Sequence, residues 1–98
     1  MSPAEFSASL TAPVPPAGLT PALTALWWDG KGDWTRAHDL INDMETHDTM
    51  AVHAYLHRKE GEQWNADYWY ARAGSQHRRP TLPAEWHALV EALLSSLR

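Results

Sequence analysis

The chain matches itself 29 residues downstream, and this self-similarity restricts the fold more than any other feature. The segment ALWWDGKG at 25–32, followed by Ala37 and Ile41, aligns without a gap on AYLHRKEG at 54–61, followed by Ala66 and Tyr70. A small residue, Gly seven later, Ala five after that and a large apolar residue four further on is the plan of a paired-helix repeat. No stretch alternates with period two and no hairpin turn signal is visible, so the fold class expected is all-α with no sheet. Nothing in the sequence names a substrate or a reaction.

Punctuation along the chain places the helices. Residues 1–19 carry Pro3, Pro13, Pro15 and Pro16 among many Ala, Ser and Thr. That composition disfavours a packed helix and predicts a Pro/Ala-rich N-terminal arm. Residues 20–98 are read as a single α-helical, repeat-like domain. Thr20-Pro21 suits a cap followed by proline at the first helical position, opening a helix over about 21–30. Gly30 and Gly32 stop it, and Asp33 caps a second helix at about 34–44 with Ala37, Leu40, Ile41 and Met44 turned inward. Thr46 or Asp48 caps a third helix at about 48–60, ended by Gly61, and residues 65–73 form the core of a fourth, ended by Gly74. A basic loop at 75–81 leads to Leu82-Pro83 and a last helix of about 15 residues. Its Trp86, Leu89, Val90, Leu93, Leu94 and Leu97 make a broad apolar stripe. The expected architecture is two antiparallel helical hairpins plus a C-terminal capping helix, with the arm packing over an open end.

At these positions the chain resembles the tetratricopeptide and Sel1-like repeat families over about residues 21–74. The resemblance rests on Ala25 and Ala54, on Gly32 and Gly61 before the turn, on Ala37 and Ala66 after it, and on WYARA at 69–73. Its period is 29 residues, against about 34 for a tetratricopeptide unit. WWDGKGDW at 27–34, AHDL at 37–40, HAYLHRKEG at 53–61 and YWYARAG at 68–74 are also similar to a family of small uncharacterised bacterial and fungal proteins. That second resemblance implies no activity. The repeat families imply a scaffold that binds proteins or peptides.

Charge and cysteine content exclude several classes. The formal net charge is −4, from 12 acidic and 8 basic residues, which opposes general attraction to nucleic acid or to an anionic membrane. Cysteine is absent, so disulfides and thiolate metal sites are excluded. No apolar run approaches the roughly 20 residues of a membrane span, and the start MSPAE lacks a signal-peptide pattern. The expectation is a cytoplasmic protein with neither nucleic acid nor membrane as partner.

Chemistry is concentrated on the third helix. His53, His57 and Glu60 fall within about 60° of one another around a helix. Two imidazoles four residues apart can hold one metal, and a carboxylate one turn on completes a facial set suited to zinc, nickel or ferrous iron. The spacing is not that of a zinc peptidase, because Ala54 stands where the general base belongs. A structural role is the alternative: His57 aligns with Trp28 and His53 with Thr24, positions that pack between helices. His38 joins these two in a three-His cluster if the second and third helices pack together, and Asp29 is a further candidate for acid–base work. Arg58, Lys59, Arg72, Arg78 and Arg79 offer a small anion site or, more simply, a solvated face.

The aromatic residues are too many for one core, since adjacent helical positions point about 100° apart. Trp28, Trp34, Trp64, Tyr68 and Trp69 are the candidates for a binding surface, where one ring buries a large area at low entropic cost. The leading expectation is a non-enzymatic interaction module that binds a protein or peptide and self-associates as a homodimer. The competing one is a small metal-dependent or acid–base enzyme built on His38, His53, His57, Glu60 and Asp29, with a divalent metal as its only implied cofactor.

Overall fold

The structure, a computed structural model, describes residues 1–74 and 77–97. Ser75 and Gln76, at the start of the expected basic loop, and Arg98 lie outside the described residues. Six α-helices and no strand occur among the described residues: α1 (Pro3–Ala8), α2 (Pro21–Gly30), α3 (Trp34–Ile41), α4 (His47–Lys59), α5 (Gln63–Ala73) and α6 (Leu82–Ser95), with a 3-10 turn at Ser9–Thr11 after α1.

Capping side chains set the helix starts. The Thr20 hydroxyl accepts from the Leu23 amide, Asp33 from Arg36, Thr46 from Thr49 and Thr81 from Ala84. Gly32 and Gly61 sit at φ +88° and +86° in the turns that follow α2 and α4, a region L side chains rarely adopt. The matched positions have matched environments. Ala25 and Ala54 are both fully buried, as are Ala37 and Ala66, and Ile41 and Tyr70 are both in the core. The α3 helix ends at Ile41 rather than near 44, at Asn42 and Asp43, residue types with low helix propensity. Leu40, expected inside, is 39 % exposed; α3 turns Ala37 and Ile41 inward instead.

The N-terminal arm departs from its expectation. Pro3 occupies the first position of α1, where its missing N–H costs nothing. Ser2 and Glu5 close a reciprocal capping box, at 3.1 Å from the Glu5 amide to Ser2 Oγ and 2.8 Å from the Ser2 amide to Glu5 Oε1. The helix places Phe6, fully buried, 5.8 Å from the Trp86 ring. Trp27 Nε1 donates to Ser9 Oγ, and Lys31 Nζ donates to the carbonyls of Leu10 and Ala12. The arm is thus a sixth helix packed onto α6.

Helix α4 is the hub, touching α2, α3, α5 and α6. Residues 51–56 are six consecutive buried positions, as befits a helix enclosed on several sides. One end of it is tied to α6 by Glu85, which is fully buried. Its carboxylate accepts from Arg58 Nη1 at 2.5 Å and from the Tyr70 hydroxyl. Arg58 also donates to the carbonyls of Arg79 and Pro80, fixing the approach to α6. Among the described residues the basic side chains pair with carboxylates, Lys59 with Asp29, Arg72 with Glu45 and Arg78 with Asp67. No helix of the described residues is long and apolar enough to cross a membrane.

Candidate metal centre

The α3–α4 contact brings His38 against His53 and His57. Trp34 fixes that contact, its Nε1 donating to the Leu56 carbonyl at 2.8 Å. One turn along α3, His38 stacks on the Trp34 ring at 4.8 Å and 8° between planes. On α4, His53 and His57 stack one turn apart at 4.7 Å, and Trp69 of α5 covers the outer face of His53 at 4.1 Å and 18°. His38 meets both rings edge-on, at 4.9 and 5.1 Å. One ring nitrogen from each of the three histidines lies within 4.8 Å of the other two.

Hydrogen bonding leaves this cluster short of partners. His57 Nδ1 lies 2.6 Å from Glu60 Oε1. An ionised carboxylate only accepts, so His57 Nδ1 is the donor in this pair and Nε2 is its remaining ring nitrogen. His38 Nδ1 is 3.8 Å from Asp39 Oδ1, beyond hydrogen-bond range. His38 Nε2 and His53 Nδ1 are buried with no hydrogen-bond partner among the described residues. Burial, reinforced by the His57 and His38 charges, pulls His53 down to about 4, so it is neutral, with a lone pair free to coordinate, at physiological pH. His53 is enclosed, while the His38 and His57 side chains keep 18 % and 12 % of their surface, which leaves an approach from their side.

These features fit a metal ion. Three imidazoles bind first-row divalent ions at about 2.0–2.1 Å, which requires nitrogens on the order of 3.4 Å apart in a tetrahedral site. With a metal bound, the Glu60–His57 contact would orient that imidazole and raise its basicity. Glu60 therefore stands behind His57, and His38 takes the third place in the cluster.

The other sequence candidates lie elsewhere. Asp29 is across α4, because Tyr55 and Lys59, its partners, sit about 120–160° around the helix from His53 and His57. Trp28 packs edge-on against Trp27 and carries the Arg36 guanidinium at 4.2 Å. Trp34 and Trp69 are walls of the histidine cluster. Trp64 and Tyr68 are 79 % and 49 % exposed on α5. The sequence reading missed Glu85; a glutamate within the apolar stripe of α6 was the available signal. No protein-family model, curated protein or solved structure matches the chain.

Proposed function

We propose that this chain is a small metal-binding protein that holds a divalent transition-metal ion on His38, His53 and His57, with Glu60 orienting His57. The observation that carries this reading is the pair of buried, partnerless imidazole nitrogens within one three-histidine cluster. Each such group costs about 1–3 kcal/mol if left unpaired, and one ion relieves both. Neutral nitrogen donors favour zinc, cobalt, nickel or copper(II) over magnesium and calcium, which take oxygen. The centre is read as a binding site and not as a catalytic one. Glu60 and Asp29, the carboxylates expected to do acid–base work, are committed to His57 and to Tyr55 and Lys59.

Elemental mass spectrometry on untagged protein tests this, alongside a His53→Ala, His57→Ala double variant. One ion per chain in the wild type and none in the variant is expected. A wild type that takes up no ion after incubation with zinc, cobalt, nickel and copper(II) refutes the reading.

A second reading is supported by Trp64 and Tyr68, one turn apart and open to solvent on α5. In it the two helix pairs act as a tetratricopeptide- or Sel1-like scaffold capped by α6. A protein or peptide partner, or a second copy of the chain, packs on these rings. Sedimentation over a concentration series is expected to reveal an assembly above 11.0 kDa that Trp64→Ala weakens. A monomer at every concentration counts against self-association.

A further inference from the structure

Opposite the histidines, a cavity of about 590 Å³ opens between the N-terminal arm, α2, α4 and α6. Small-molecule sites span roughly 300–1,000 Å³ and combine apolar walls with a few convergent polar groups. Here Leu10, Leu82 and Trp86 are apolar walls, and Ser7, Asp29, Tyr55, Lys59 and His87 bring the polar groups.

The polar groups are built, not incidental. Asp29 is only 3 % exposed, and its two oxygens are each held by a donor: Tyr55 Oη at 2.8 Å and Lys59 Nζ at 2.9 Å. Burial and then the Asp29 carboxylate push the Tyr55 phenol well above its usual value, so it remains a donor to Asp29. The Lys59 side chain is 37 % exposed. An ammonium group has three N–H donors, and Asp29 is its only hydrogen-bond partner among the described residues. What faces the cavity is therefore a hydrogen-bond donor whose charge is already neutralised. Such a group suits a neutral acceptor, because a second anion would sit beside Asp29. Gly30 adds to the shape. A Cβ there would lie 3.1 Å from both Leu10 and Trp86, so the glycine lets the arm and α6 close over this end of α2.

We propose that this cavity binds a neutral, ring-bearing small molecule whose carbonyl oxygen accepts from Lys59 while its ring packs among Leu10, Leu82 and Trp86. The site shares no residue with the histidine cluster, so it stands or falls independently of metal binding.

Titration of the full chain with Nile red, a neutral fused-ring carbonyl dye, in a chelating buffer tests the proposal. Saturable one-to-one fluorescence enhancement is expected. It should weaken about tenfold or more in Lys59→Met, equivalent to one charge-assisted hydrogen bond. Leu82→Trp, which fills the cavity and leaves the ion pair intact, should abolish it and serves as the decisive variant if Lys59→Met fails to fold by circular dichroism. Asp43→Ala, exposed in the turn after α3 and outside the cavity lining, should leave it unchanged. Absence of saturation in the wild type, retention of full affinity in Leu82→Trp, or loss of the signal in Asp43→Ala overturns the proposal. Tighter binding of an anilinonaphthalene sulfonate at this site than of Nile red would overturn its preference for a neutral ligand.

Discussion

His53 makes the stability of the metal-free chain depend on pH, by an amount that follows from its surroundings. The ring is held between Trp69 and His57 at 4.1 and 4.7 Å, 2 % exposed. Charging it there costs solvation and meets His57 and His38, which is why it titrates at about 4 instead of 6.5. A folded-state value below the unfolded one means the unfolded chain binds the proton first as pH falls. The contribution of His53 is therefore complete above about pH 6.5 and is lost progressively toward pH 4. A tenfold difference in proton affinity between the two states corresponds to about 1.4 kcal/mol, so the full loss is about 3 kcal/mol. His53→Phe keeps a flat ring in the slot and removes the titration. Any constant offset from the changed ring is irrelevant, because only the slope with pH is read. Urea unfolding of both proteins in chelator at about pH 7.5, 6 and 4.5 is the assay. The wild type should lose most of that 3 kcal/mol relative to the variant over this range. Parallel stability–pH curves would mean that His53 is solvated or hydrogen-bonded in solution, leaving no partnerless nitrogen to await a metal.

Three further outcomes are expected. Glu85→Ala leaves the Arg58 charge and the Tyr70 hydroxyl without their buried partner and should cost about 3–5 kcal/mol in urea unfolding, with Glu85→Gln retaining part of it. Phe6→Ala should cost about 3–5 kcal/mol, because the ring is fully buried against Trp86; an unchanged midpoint would mean that the arm is not docked. Ala66→Trp should destabilise by about 1–3 kcal/mol or more, since Ala66 is fully enclosed beside Ala54 and Tyr70; unaltered thermal unfolding would refute the pairing of positions 29 residues apart.

Much of the architecture was legible because it is written in local chemistry. Thr20, Asp33, Thr46 and Thr81 start helices through their own side chains, Gly32, Gly61 and Gly74 end turns of chain at positive φ, and α6 carries its apolar stripe in plain period. The spacing of His53 and His57 put them on one face of α4 before any tertiary contact was known. The arm was misread because its later prolines, at 13, 15 and 16, masked the capping box at Ser2 and Glu5.

Most helix starts, and which side chains share a helix face, follow from residues within about four positions of one another. Partners across helices were set by the packing of the whole chain. It put His38 with His53 and His57, set Glu60 behind His57, sent Asp29 to Tyr55 and Lys59 on the opposite side of α4, and buried Glu85 against Arg58 and Tyr70. Those choices depend on the rotation and crossing of packed helices, quantities that arise from the whole core and that no local spacing encodes.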